Sequence, residues 1–187
     1  MMGAALVCFA GESEPKKTTV EPGKVLVAYY SWSGNTRYMA KKIQAVTGGT
    51  LFEITPKTPY PTDYRKCVAQ ARKEIKSHFK PELAARVDDI GKYDVIFVGS
   101  PNWCGTMAPP VATFLTTHDL KGKTVIPFFT HGRGGMQNCE KDVRKLCTKS
   151  VVLKAAAFPG ASIRQSDDKI EKWATSVIGL SREKSQK

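Results

Sequence analysis

The stretch KVLVAYYSWSGNTRYMAKKI, Lys24 to Ile43, changes character twice. Val25 to Tyr30 is a short apolar run with β-branched and aromatic residues, bounded by Gly23 and a Ser/Gly loop, and it reads as a fully buried strand. The run opens into Ser31-Trp32-Ser33-Gly34-Asn35-Thr36-Arg37, a loop of small hydroxyl, amide and glycine residues. Apolar residues then return at helical spacing. Met39, Ile43 and Val46 fall at i, i+4 and i+7, one face of a helix that stops at Gly48-Gly49.

The same alternation continues along the chain. Leu51 to Ile54 reads as a second strand, and Thr55 to Pro61, with three prolines, as a loop. Asp63 to Phe79 is an amphipathic helix with Val68, Ala71, Ile75 and Phe79 on one face and Lys and Arg on the other. Tyr93 to Gly99 is the clearest buried strand, opening into Ser100–Thr106. Pro109-Pro110 starts a helix, where proline is favourable, with Val111, Phe114 and Leu115 inward. Lys123 to Thr130 is a fourth strand, ending in His131-Gly132-Arg133-Gly134-Gly135 before a helix through Val143 and Leu146. Val151 to Phe158 is a fifth strand, and Ser166 is expected to cap a last helix carrying Ile170, Trp173, Ala174, Val177 and Ile178. Apolar strands alternating with crossover helices predict an α/β fold: a doubly wound five-stranded parallel sheet, order 2-1-3-4-5, with helices on both faces. The domain is expected over residues 24–181, with a tail at 1–23 and a basic tail at 182–187.

Composition bounds the function. The chain has 187 residues, enough for one domain with a full core, and no apolar run approaches the roughly 20 residues needed to span a bilayer. Lys and Arg number 29 against 17 Asp and Glu, a net charge of +12. The cations are spread along helical faces rather than gathered in one block, which reads as solvated surface and makes nucleic acid a poor expectation. Five cysteines, at 8, 67, 104, 139 and 147, form no C-x-x-C, and no histidine stands at metal-ligand spacing, so no metal is expected. Cys139 and Cys147 lie about 12 Å apart along one helix, too far for a disulfide. Free thiols point to a reducing compartment and a cytoplasmic setting. The short apolar stretch Met1 to Ala10 leaves the alternative of export through a short signal, although no basic residue precedes it.

In a doubly wound sheet ligands bind at the carboxyl ends of the strands, where strand order reverses. Three loops of unusual composition share that rim: Ser31–Arg37, Ser100–Thr106 and Thr130–Gly135. The first suits a phosphate. Unpaired amides at a helix start carry positive partial charge, the hydroxyls and Asn35 add donors, and Gly34 lets the backbone come close. It lacks the lysine of a triphosphatase loop and the glycine spacing of dinucleotide folds, so a terminal monophosphate ester is the expected ligand. The alternative is that the serines only cap the helix. Arg37, disfavoured at a helix start, either faces an anion or points into solvent.

These residues resemble the flavodoxin family. SWSGNT matches its phosphate loop. GSPNWCGTMAPPV and PFFTHGRGG are similar to segments of a flavodoxin-like subfamily of small bacterial proteins, and the likeness runs over about 24–180. The resemblance implies non-covalent FMN and one- or two-electron transfer. It assigns Ser31, Trp32, Ser33, Gly34, Asn35 and Thr36 to the phosphate. Pro101, Asn102, Trp103, Cys104, Gly105 and Thr106 would line the isoalloxazine ring, and Thr130, His131, Gly132 and Gly135 would close the other side. Cys104 stands where the subfamily often has a second aromatic, and His131-Gly132-Arg133 replaces smaller residues. Flavodoxins are typically acidic and this chain is basic, so the redox partner is expected to present an acidic surface. Arg133 and the basic surface are expected to favour the negatively charged reduced flavin.

Three functions remain open at this point: an electron carrier, an FMN-dependent NAD(P)H or quinone oxidoreductase, and a flavin-free module for an anionic partner. A reductase needs a second pocket beside the flavin, which the helix Asp63–Phe79 and its Pro-rich entry Thr58-Pro59-Tyr60-Pro61 could wall, with Tyr60 and Tyr64 as candidates; the alternative is that they pack on the sheet edge. No Ser/His/Asp grouping or G-x-S-x-G elbow supports hydrolysis, and no catalytic residue is assigned.

Overall fold

Strand β1 (Val25–Tyr29) is buried at every position, because it has a neighbour on each side and helices above and below. The computed structural model of the chain describes residues 22–179; the apolar stretch Met1–Ala10, Cys8 and the basic tail lie outside the described residues. β2 (Thr50–Glu53) and β3 (Val95–Trp103) pair parallel to β1 on opposite edges, and β5 (Thr124–His131) continues the sheet beside β3. β4 (Thr106–Met107) is a short antiparallel return on the end of β3.

The last strand position is divided. β6 (Val151–Val152) pairs with the start of β5, and β7 (Ala156–Pro159) with its end. Six of the seven strand segments therefore fill the five expected positions in the expected order, and β4 lies off that path. The expected single strand Val151–Phe158 is interrupted by side chains of α4 (Cys139–Leu146). The Arg144 guanidinium donates to the carbonyls of Val152 and Leu153 at 2.6 and 3.3 Å, and Glu140 accepts from the Ala155 amide at 3.0 Å.

Alternation along the strands feeds two cores. Leu26, Ala28, Ile96, Val98, Val125 and Phe129 face α2 (Tyr64–Lys76), α3 (Pro109–Thr117) and α4. Val25, Val27, Val95, Phe97, Ile126 and Phe128 face α1 (Asn35–Thr47) and α5 (Asp167–Ile178).

Two helix ends differ from expectation. Ser166 stands at the N-cap of α5, but its hydroxyl donates back to the Ser162 carbonyl at 2.9 Å and makes no cap hydrogen bond. The acidic Asp167 and Asp168 complement the helix dipole there instead. α2 stops at Lys76, and His78 turns with φ +53, so Phe79 leaves the helical face and stands 54% exposed. No helix among the described residues is long and apolar enough to cross a membrane.

With β2 on one side of β1 and β3 on the other, the crossovers reverse direction between β1 and β3. The carboxyl ends of β1, β3 and β5 open together at that reversal.

Candidate functional site

The first loop leaves β1 and enters α1 without a side-chain cap. Gly34 is the N-cap residue, with φ +86, and no side chain bonds to the helix start. The serines therefore do not cap the helix, and its first amides keep their unpaired positive character. The Ser31 hydroxyl is buried and has no protein partner. Thr36 turns inward, 1% exposed, and its hydroxyl shares a 2.8 Å hydrogen bond with that of Thr130.

Arg37 does neither of the two things read for it from sequence. It pairs with Glu53 of β2, Nε donating to Oε2 at 3.1 Å and Nη2 to Oε1 at 2.5 Å. Tyr29 donates to the same carboxylate at 3.2 Å. Burial and then the Glu53 charge raise the Tyr29 hydroxyl above its ordinary pKa.

The second loop is a hairpin. Cys104 and Gly105 form a two-residue turn with φ of +52 and +92, the left-handed pair of a type I′ connection, between the pairs Trp103↔Thr106 and Asn102↔Met107. Asn102 braces it. Its Oδ1 accepts from the Gly105 amide at 3.0 Å, and its Nδ2 donates to the Gly135 carbonyl at 2.7 Å and to Gln137 Oε1 at 2.9 Å. One amide side chain thus ties the second loop to the third. Thr106 turns outward, donating to Asp142 at 2.7 Å.

Trp103 packs against two tyrosines. Its ring lies 4.8 Å from Tyr60 and 5.4 Å from Tyr30, both near perpendicular. Tyr60 donates to the buried carboxylate of Glu74, which also accepts from Gln70 at 2.8 Å. Burial, then the Glu74 hydrogen bond and charge, push the Tyr60 hydroxyl far above its ordinary range, so it remains a neutral donor. These near-perpendicular contacts fix the indole orientation where Trp103 lines the cavity.

The third loop supplies His131, whose Nδ1 is buried without a partner. Behind it, Gly160 follows β7. A Cβ built there would lie 2.4 Å from Asn35 Nδ2, so only glycine lets the Asn35 side chain hold its place.

These loops enclose a cavity of about 430 Å³. Ten of the residues expected from sequence line it: Trp32, Ser33, Asn35, Pro101, Asn102, Trp103, Cys104, Thr130, His131 and Gly132. The other six do not line it: Ser31, Gly34 and Thr36 belong to the first loop and the start of α1, Gly105 and Gly135 are both bonded by Asn102, and Thr106 turns away to Asp142. One wall had no sequence expectation as a cofactor surface, namely Cys67, Val68, Ala71 and Arg72 of α2, joined by Gly160 and Ala161. Tyr64, read as a candidate for a second pocket, lines this same cavity, whereas Tyr60 is buried behind Trp103. Burial first, then the Glu74 and Cys104 charges, raise the Cys67 thiol, so it is a neutral wall residue.

FMN fits this donor set. A buried hydroxyl without a partner and uncapped helix amides suit its phosphate, and a cavity lined by Trp32, Tyr64 and Trp103 suits its ring.

Comparison with known proteins agrees. A 1.40 Å crystal structure of a Bacteroides eggerthii protein, provisionally described as a flavoprotein, superposes with a TM-score of 0.74 at 31% identity, covering 84% of this chain and 99% of that one. The flavoprotein of Lactobacillus acidophilus, solved in complex with FMN, superposes with a TM-score of 0.66 at 28% identity, over 81% of this chain and 99% of that one. A curated relative from Cupriavidus metallidurans, named NAD(P)H dehydrogenase (quinone), is 34% identical over 95 residues. That match covers 49% of this chain and 45% of the relative, so the chain matches less than half of that protein's length. The family model for flavodoxins matches residues 24–177, a span that holds all three loops, and the chain belongs to the flavodoxin family.

Proposed function

We propose that this chain is an FMN-binding electron-transfer protein. The observation that carries the reading is the pair of buried polar atoms without partners, Ser31 Oγ and His131 Nδ1, on two of the three loops that enclose the cavity. Buried polar groups are paired in nearly all native sites, and an orphan costs about 1–3 kcal/mol. Two at one site are accounted for if both meet a ligand.

The phosphate end would be held by Ser31, Ser33, Asn35 and the first amides of α1, with no cation in the cradle, since Arg37 is engaged by Glu53. Pro101 to Cys104 would flank the ring, with Trp103 fixed by Tyr30 and Tyr60. His131 would donate to or accept from the cofactor. Bound flavin supplies one- or two-electron transfer; the protein contributes orientation, exclusion of water and the local charge. Free thiols support a cytoplasmic setting, and the net charge of +12 supports a partner with an acidic surface.

Titration of the purified protein with FMN, followed by absorbance between roughly 350 and 500 nm, tests this reading. Stoichiometric uptake with a perturbed flavin spectrum is expected. A protein that stays colourless in excess FMN overturns the assignment and leaves a flavin-free module.

A second reading, an NAD(P)H or quinone oxidoreductase, is favoured by one observation. α2 adds a wall with Tyr64, 69% exposed, and Arg72 beside the ring region, where a second substrate would lie. The relatives named NAD(P)H dehydrogenase (quinone) support it across 49% of the chain. Sustained NADPH oxidation by the FMN-loaded protein with a quinone acceptor is the discriminating assay; a carrier alone shows almost none.

A further inference from the structure

We infer that the outer face of α2 is the docking surface for an acidic protein partner. The inference rests on the FMN reading only in that it places the partner at the cofactor's mouth.

At 100° per residue, Arg65, Lys66, Arg72, Lys73 and Lys76 of α2 fall within an arc of about 120°. All five are exposed. The opposite side of the helix carries Cys67, Val68, Ala71 and Glu74, which face the core and the cavity. Among the described residues, the ion pairs engage Arg37, Lys42, Lys57, Arg144 and Lys145, and none engages a cation of α2. The nearby carboxylates are committed elsewhere. Asp63 caps the helix through the Lys66 amide at 2.9 Å, and Glu74 is buried against Tyr60 and Gln70. The cations therefore form an uncompensated stripe about 17 Å long, at 1.5 Å per residue.

Its position gives it meaning. Arg72 stands on both the stripe and the cavity wall, and Tyr64, beside Trp32 at 6.3 Å, offers an exposed aromatic at the cavity's edge. A charged stripe with one aromatic anchor matches a small, weak electron-transfer interface, in which charge steers encounter and sets orientation. Membrane binding by this helix would need an exposed apolar face, but Cys67 and Ala71 are buried and Val68 and Ile75 half-buried. A single-stranded nucleic acid would need several exposed stacking rings, and α2 offers Tyr64 alone.

The test uses FMN-loaded, ¹⁵N-labelled protein titrated with an acidic [2Fe–2S] ferredoxin. Amide shifts are expected to cluster over residues 64–76. Affinity should weaken about tenfold or more on raising salt from about 20 to 200 mM, as for steered charge pairs. The triple variant Arg65→Glu, Lys73→Glu, Lys76→Glu, none of which lines the cavity, should lose binding tenfold or more with FMN affinity unchanged. Shifts elsewhere, unaltered binding by the variant, or tighter binding to phosphatidylglycerol vesicles or single-stranded RNA at equal salt overturns the inference. If the wild type takes up no FMN, the electron-transfer reading fails separately, and the apo protein still reports the docking face.

Discussion

The hydroxyls of Thr36 and Thr130 meet at 2.8 Å, across 94 residues of sequence, in a site where Thr36 is 1% exposed. This bond joins the first turn of α1 to the end of β5, so the loops on two strands form one rim. Thr36→Val leaves the Thr130 hydroxyl buried without a partner, and should lower stability by about 1–3 kcal/mol. The double variant Thr36→Val, Thr130→Val removes both polar groups at nearly constant shape and should recover most of that loss. Urea denaturation of the four apo proteins reads the cycle; additive losses would mean that the two hydroxyls do not depend on each other.

Gly160 separates site integrity from stability. The atom that a Cβ would meet is Asn35 Nδ2, the far end of a side chain that swings away at small cost. Gly160→Ala should therefore leave the melting temperature nearly unchanged while displacing Asn35, the proposed phosphate donor. Loss of one hydrogen bond to a charged group is worth about 1.5–3 kcal/mol, or roughly 10–150-fold in FMN affinity. Unchanged affinity in a fluorescence-quenching titration would remove Asn35 from the cradle.

The sequence carried the parts of this architecture that local chemistry writes. β1 was legible because a β-branched run sits between Gly23 and a hydroxyl-rich loop. The segments Ser100–Thr106 and Thr130–Gly135 stood out by composition, although the continuation of β3 to Trp103 and the hairpin at Cys104-Gly105 were not read from it. What escaped was set by neighbours. Cys67 and Ala71 look like ordinary core on a helical wheel, yet the edge of α2 overhangs the cavity and turns them into its wall; the spacing of 64, 67, 68 and 71 was the available signal. Gly160 was hidden because its reason, Asn35, lies on another loop; a Pro-Gly after a strand was the only hint. The break between β6 and β7 depends on Arg144 and Glu140 reaching the backbone from α4.

Arg37 shows the same limit, and yields a sharp expectation. Parallel pairing places Tyr29 opposite Glu53, which brings that carboxylate under the start of α1. The pair is partly exposed, with side chains 45% and 34% accessible, so Arg37→Ala should cost no more than about 1 kcal/mol. FMN affinity should stay within about twofold, less than 0.5 kcal/mol. A tenfold loss of affinity would mean that the guanidinium leaves Glu53 for the phosphate when the cofactor binds.

His118 sets a pH dependence apart from the cofactor. Its Nδ1 donates to the Phe114 carbonyl at 2.9 Å and its Nε2 accepts from the Val87 amide at 3.2 Å, an arrangement that requires the neutral ring. Burial is the main cause that holds its pKa below the ordinary value; the Phe114 carbonyl opposes this and the Arg86 charge adds to it. The unfolded chain therefore takes up the proton first, near its ordinary value of about 6.5. Stability is full above that pH and falls as pH drops toward the folded-state value, with a slope no steeper than about 1.4 kcal/mol per pH unit for one proton. Glu140 and Asp142, whose pKa values are lowered on balance, lose their contributions only in more acidic solution, below about pH 4.5. Urea midpoints of the apo protein at pH 7.5, 6.5 and 5.5 should decline for wild type and stay flatter for His118→Gln, which cannot titrate. Equal slopes for the two proteins would assign the decline to other groups, because the Val87 amide loses its acceptor only when Nε2 is protonated.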